Sequence, residues 1–338
     1  MGTRVVDIHA HVLVPAVEAL VADRPERAAA LRAQADAAGD ESTRHNRHLF
    51  ATAYQRPLTD VATRLAAMDA MGVDMQAVSV SPTQYYYWAD RDLARAITEV
   101  ANHHLAELCG AHPDRFVGLA TVSLQHPALA AEQLTYAVEQ LGLRGCQVST
   151  LIDGAELADR RHDPFWSCAE AFGAVVFVHP LGCTLGERTR PYYLSNVVGQ
   201  PIETTLALSH LIFGGTLDRH PGLKLCAAHG GGYLPSYIGR SDHGYAVRPE
   251  SRTMQKPPSA YLKQIWFDSL VYTPQGLEHL VREVGASQVV IGTDYPFDMG
   301  TAEPLEQIAR ANLSEAERDR IRGANALELL AVTSRGRN

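Results

Sequence analysis

Eight short runs rich in valine and isoleucine alternate with longer helix-like patterns along almost the whole chain, and this alternation restricts the folds open to it. The runs fall at 4–12, 73–81, 116–123, 145–149, 175–179, 223–228, 265–271 and 289–293. Helical periodicity fills the intervals at 60–71, 90–112, 127–141, 164–172, 202–219, 234–247 and 274–284, and then 303–310 and 314–331. A strand that returns through a helix pairs parallel with its predecessor, so the class is α/β. Eight such units favour a (β/α)8 TIM barrel over an open doubly wound sheet. No internal repeat or linker divides the 338 residues, so the expectation is a single barrel domain over 1–338 rather than two average domains.

Two stretches interrupt the alternation. Residues 15–59 form a long, partly charged insertion after the first strand and contain the run Arg44-His45-Asn46-Arg47-His48. Residues 181–200 follow the fifth strand and hold Tyr192, Tyr193 and several glycines. On a barrel both leave the C-terminal ends of strands, where active sites are assembled, so both are expected to be lids or pocket walls. Helix starts carry capping chemistry: Asp60 and Ser314 are N-cap candidates, and Ser314 with Glu317 has the spacing of a capping box.

The first strand contains His9-Ala10-His11. Residues two apart on a strand face one side, so this pair can converge on one ion, although two solvated imidazoles are an equally simple reading of the motif alone. Three further ligand-type residues end later strands: His179 after Val175–Val178, His229 before Gly230-Gly231-Gly232, and Asp294 after Gly292-Thr293. In barrel register all five side chains project toward one mouth. A carboxylate buried there needs a hydrogen bond, an ion pair or a metal to offset its desolvation. Four nitrogen and oxygen ligands and an open position make a catalytic zinc site, which leaves His229 as the acid/base. The three glycines are expected to be either a plain turn or a place where backbone approaches a ligand.

Composition narrows the partners. A net charge of −8 without a basic stripe argues against nucleic acid as a partner. The five cysteines are widely spaced, without a C-x-x-C pair, so a reducing cytoplasm is expected rather than a disulfide scaffold. No apolar run approaches the about 20 residues of a membrane span, and no signal segment opens the chain.

The stretches Met68 to Asp74, Val178-His179-Pro180, Pro201 to Thr205, His229 to Gly232, Gly239-Arg240, Pro257 to Tyr261, Phe267-Asp268-Ser269, Gly292 to Phe297 and Gly323-Ala324-Asn325 resemble the amidohydrolase superfamily. The likeness is to its 2-amino-3-carboxymuconate-6-semialdehyde decarboxylase-like branch and covers nearly the whole chain. It implies a distorted (β/α)8 barrel holding one divalent metal, Zn2+ with Mn2+ as the alternative. It also implies His9, His11, His179 and Asp294 as metal ligands, and His229 as catalytic acid/base working beside Asp294. Arg240 resembles an arginine lent across a homodimer to the neighbour's substrate carboxylate, and Phe297 and Tyr192 resemble aromatic pocket positions. Where the branch has a substrate-binding arginine in the first insertion, this chain has Thr52, with Arg47 and Arg56 as possible replacements.

The function this implies is a metal-dependent, non-oxidative decarboxylase of a small unsaturated or aromatic carboxylate. A hydrolase or hydratase acting on an amide, lactone or alkene would use the same site, and a non-catalytic metal site would be expected to have lost a ligand or the base. Other conspicuous residues carry structural expectations. His103 and His104 face apart on a helix, His210 and His220 lie on or after one, and Tyr85-Tyr86-Tyr87-Trp88 is either pocket wall or packing under the rim.

Overall fold

The computed structural model describes residues 4–332. The apolar runs become β1 (Val6–Val12), β2 (Met75–Val80), β3 (Phe116–Gly118) and β4 (Ala120–Thr121), the last two from one predicted run. They continue with β5 (Gly145–Val148), a small antiparallel hairpin of β6 (Leu151–Ile152) and β7 (Ala155–Glu156), and β8 (Val175–Val178). The last are β9 (Lys224–Ala227), β10 (Ile265–Asp268) and β11 (Val289–Val290).

All pairs but the hairpin are parallel, in two arcs: β1-β2-β3 and β4-β5-β8-β9-β10-β11. The arcs join through the β3–β4 chain, where the Leu119 amide donates to the Val78 carbonyl at 2.9 Å. They join again where β1 bridges Ile291 and Tyr295 beyond β11. The result is a distorted (β/α)8 barrel. Two apolar clusters account for its layers. Val6, Ile8, Met75, Leu119, Phe177 and Val290 fill the interior, together with Ala326 and Leu329 from the last helix. The larger cluster lies between the strands and the surrounding helices.

One irregularity in β1 places the site. From the Asp7–Gln76 pair to the Ala10–Val78 pair, β1 advances three residues while β2 advances two. This bulge changes the inward parity of the strand. Val6 and Ile8 can then pack in the interior while His9, one residue later, also faces inward against Phe177, with ring centroids 5.0 Å apart. A regular strand would send Ile8 and His9 to opposite faces.

The helices follow the expected intervals, with two breaks. The pattern at 202–219 divides into Gln200–Phe213 and Thr216–Arg219, because Gly214 and Gly215 intervene and Gly215 has φ +68°. The pattern at 314–331 divides into Glu315–Asp319 and Asn325–Leu329 around a widened turn, where Gly323 lies against the Arg4 carbonyl so closely that a Cβ would collide with it. Asp60 caps its helix and Ser314 forms the capping box with Glu317, as expected. The insertion at 15–59 is largely helical, with Pro15–Val21, Pro25–Ala38 and Asp40–Leu49 as its main pieces. Among the described residues no helix is long and apolar enough to cross a membrane.

Candidate metal centre and active site

β1, β8, β9 and β11 deliver five side chains to the same end of the barrel. His9 Nε2 lies 3.1 Å from His11 Nε2, and each of these nitrogens is 3.1 Å from Asp294 Oδ1. His179 Nε2 is 4.0 Å from the same oxygen, and His229 Nε2 is 3.7 Å from Asp294 Oδ2. One donor atom each from His9, His179, His229 and Asp294 fall within 4.8 Å of one another, and His11 Nε2 meets both His9 Nε2 and Asp294 Oδ1 at 3.1 Å. His9 and His11 are fully buried, whereas the His229 side chain is 14 % exposed.

The surrounding hydrogen bonds fix which nitrogens face the centre. His9 Nδ1 donates to Asp268 Oδ2 at 2.7 Å, and the other Asp268 oxygen accepts from the Gly230 and Leu270 amides at 2.8 and 3.1 Å. His179 Nδ1 donates to the Pro180 carbonyl at 2.8 Å. Both rings therefore present a lone pair at Nε2 to the centre, and His179 Nε2 is buried without a partner. Lone pairs and a carboxylate oxygen this close together need a cation between them, and imidazole with carboxylate suits a divalent transition ion. The residues present fit one.

Charge at the centre has the same bias. Burial opposes a charge on His9, yet the Asp294 and Asp268 carboxylates push it up to about 10. Burial, reinforced by His9, lowers His11 to about 4 and holds His179 well below the usual imidazole range. Burial would raise Asp294, but the histidines around it hold it well below the carboxylate range. Of these three imidazoles only His9 is held toward its charged form, by the Asp294 and Asp268 carboxylates, while His11 and His179 are held neutral.

Beneath it, the Asp7 carboxylate accepts from the His9 and Thr293 amides and the Thr293 hydroxyl, at 2.7–3.0 Å. Gln76 also donates to Asp7, and the buried Arg64 donates to Gln76 and to the His11 carbonyl. Burial raises Asp7 to about 6.

His229 and Asp294 both adopt left-handed backbone angles, φ +55° and +56°, which is unusual for residues with a Cβ and recurs at functional sites. Gly232 has φ +65° and packs against the Pro201 carbonyl, where a Cβ would collide. Cβ atoms on Gly230 and Gly231 would meet Val271 and Phe267. These glycines therefore make room for protein neighbours, and Gly232 also lines the cavity over the centre.

A cavity of about 630 Å3 opens over the centre. His179, His229 and Asp294 line it, and His9 and His11 do not. Both insertions contribute wall, as expected: Asn46, Phe50 and Tyr54 from the first, and Cys183, Tyr193 and Gln200 from or beside the second. Phe297 lines the cavity, its ring 5.4 Å from His11 and 5.3 Å from Tyr54.

Tyr192 departs from expectation. It is 88 % exposed and absent from the wall, and Tyr193 occupies the position instead. Tyr192 has φ +61°, so the turn it sits on reverses the direction in which successive side chains leave the chain. Arg240 is exposed on the helix Leu234–Val247 and does not line the cavity. Arg47 and Arg56 are exposed and outside the wall, and the Thr52 hydroxyl donates to the His48 carbonyl within its own helical segment. Tyr85 and Tyr87 stack beneath the rim, where the Tyr85 hydroxyl donates to the His179 carbonyl and Tyr87 accepts from Ser149.

The chain is similar to known proteins over nearly its whole length. The family model described as Amidohydrolase matches residues 6–332. A 2-amino-3-carboxymuconate-6-semialdehyde decarboxylase of Dictyostelium discoideum is 36% identical over 276 residues, covering 81% of this chain and 77% of the relative. A gamma-resorcylate decarboxylase of Rhodococcus jostii is 30% identical over 297 residues, covering 82% and 90%. The solved structure of a 5-carboxyvanillate decarboxylase from Sphingomonas paucimobilis superposes with TM-score 0.85 at 26% identity, covering 98% of this chain and 100% of that one.

Proposed function

The chain belongs to the amidohydrolase family, and from that premise we propose that it is a metal-dependent, non-oxidative decarboxylase of a small aromatic or unsaturated carboxylate. The observation that carries the reading is the division of the cluster by access. His9 and His11 are sealed behind the cavity, while His229 reaches it from a strained turn. His9, His11, His179 and Asp294 would hold the ion, zinc or manganese, and His229 is left for proton transfer. When bound, the divalent ion supplies a Lewis acid that neutralises and fixes the substrate carboxylate.

The chain's own groups then do the rest. Phe297, Phe50 and Leu270 offer apolar surface for a planar substrate, held so that the carbon bearing the carboxylate faces His229. His229 gives a proton to that carbon, which becomes tetrahedral. The bond to the carboxylate breaks, its electron pair restores the π system, and carbon dioxide leaves with hydrogen in its place. His229 recovers a proton from solvent through the open side of the cavity. General acid–base catalysis of this kind is worth about 10^2- to 10^4-fold.

Two finer points belong to the proposal. Arg240 shares its helix with Tyr237, which is 70 % exposed, and Tyr192 in the rim insertion is 88 % exposed. These support a homodimer in which Arg240 serves the second copy's carboxylate. The free cysteines support a reducing compartment such as the cytoplasm.

The test is release of carbon dioxide from hydroxybenzoates and muconate semialdehydes by metal-loaded protein, against amides and lactones as controls. His229→Asn is expected to lower turnover by about 10^2-fold or more while metal content stays unchanged. Hydrolysis of the controls without carbon dioxide release, or loss of the metal in His229→Asn, overturns the assignment.

A further inference from the structure

The first insertion walls the cavity without a core of its own. Val21 is buried at its start and Tyr54 at its end, and between them no residue of 22–53 is buried in this chain. The stretch carries two helices, Pro25–Ala38 and Asp40–Leu49, joined at Gly39, which has φ +81°. Helices in proteins owe most of their stability to an apolar face packed on a core, and segments with few buried contacts open at low free energy.

This hairpin nevertheless reaches over the site. Gln34, Ala37 and Ala38 from its first helix, and Asn46 and Phe50 from or beside its second, line the cavity. Its tip lies on the second insertion, where a Cβ on Gly39 would be 3.1 Å from the Arg190 carbonyl oxygen. Its root is fixed, because Tyr54 Oη accepts from the Asp298 amide at 2.9 Å. The chain between helix and root, Phe50–Tyr54, is a single widened helical turn of the kind that recurs at functional sites.

Among the described residues, Arg27 is the one member of 22–53 whose side chain is tied to the rest of the protein by a hydrogen bond or ion pair. Its Nη2 donates to Glu18 Oε2 at 2.7 Å, and the pair is partly exposed. Glu18 is itself anchored: its other oxygen accepts from Gln84 Nε2 at 2.9 Å and from the Tyr86 hydroxyl at 2.5 Å. The Gln84 amide in turn bonds the Val14 backbone at both of its ends. Glu18 is thus a fixed catch, and Arg27 is the moving part that meets it.

Resting on the reading of this cavity as the active site, we propose that residues 22–53 are a lid that swings about its root to admit ligand and closes by seating Gly39 on Arg190 and Arg27 on Glu18. The arrangement described here is the closed one. A single partly exposed ion pair biases a segment that has no core, and it is weak enough to release at each turnover.

The lid is tested by locking it. A Cβ at residue 39 would lie 3.5 Å from the Arg190 Cβ, within the span of a disulfide, so Gly39→Cys with Arg190→Cys can be oxidised to bolt the tip down and reduced to free it. Access is read at Cys183, which lines the cavity, as its rate of alkylation by iodoacetamide followed by peptide mass spectrometry. The oxidised form is expected to react at least about tenfold more slowly than the same sample reduced. Arg27→Ala, which changes no strained position, is expected to raise the Cys183 rate about two- to fivefold, the worth of a partly exposed ion pair, and Arg27→Lys to restore it. Equal rates in the oxidised and reduced forms, or an unchanged rate in Arg27→Ala, overturn the lid. A rate that follows protein concentration instead of the lock overturns it too, by assigning the cover to a second copy. Carbon dioxide release is measured on the same samples. Full release from the locked form overturns the lid, whereas no release from either form counts against the decarboxylase reading and leaves the lid to be decided at Cys183.

Discussion

At the scale of single residues, the centre is held by groups that are not ligands. Asp268 fixes the His9 tautomer through a 2.7 Å bond while its other oxygen ties down the Gly230 and Leu270 amides. Asp268→Asn is therefore expected to weaken metal binding by about 10- to 100-fold, the usual effect of losing a partner behind a ligand. Metal titration followed by chelator competition measures it, and unchanged affinity would show that His9 needs no such partner. His9, His11, His179, His229 and Asp294 were all legible, because ligand-type residues within or just after apolar strands are conspicuous. Asp298, Tyr193 and Tyr54 were not singled out, since an aspartate and tyrosines in irregular segments give no periodic signal.

At the scale of elements, the alternation of strands and helices was readable, although several strands are shorter than expected and two helical patterns are broken, and local chemistry explains where elements start. The helix Arg91–Ala111 starts where Asp90 accepts from the Asp92 and Leu93 amides. Asp90→Ala should cost about 1 kcal/mol in a denaturant titration and leave metal content unchanged, because the cap is local and lies outside the cavity wall. A fall in metal content would show that this helix is coupled to the site. The bulge in β1 was not readable. His9 and His11 share a face on any strand, but whether Ile8 joins them depends on the pairing of β1 with β2, which are separated by more than sixty residues of chain. Likewise the insertion at 15–59 could be placed at the rim, while its helical build and its Phe50 and Tyr54 contribution to the wall came from packing.

At the scale of the whole molecule, stability should depend on pH through histidines away from the metal as well as through those around it. His162 is fully buried, donates from Nδ1 to the Leu157 carbonyl at 3.4 Å and has no partner at Nε2. Burial lowers it from the ordinary 6.5, so it stays neutral in the fold at a pH where the unfolded chain takes up a proton. Its contribution is complete above the unfolded value and is lost as pH falls below it toward the folded value. Urea midpoints compared at about pH 7.5 and about pH 5.5 should therefore drop less for His162→Leu than for the wild-type protein, and equal drops would exclude the effect. By itself the sequence determined the α/β class, the eight-unit count and the five residues of the centre, because side-chain periodicity and strand-end chemistry are local properties of the chain. The tertiary structure alone decided that Tyr193 rather than Tyr192 faces the cavity, that the glycines make room for protein neighbours, and that the first insertion walls the cavity with no buried residue between Val21 and Tyr54. Those outcomes depend on how distant segments approach one another, and no spacing along the chain encodes that distance.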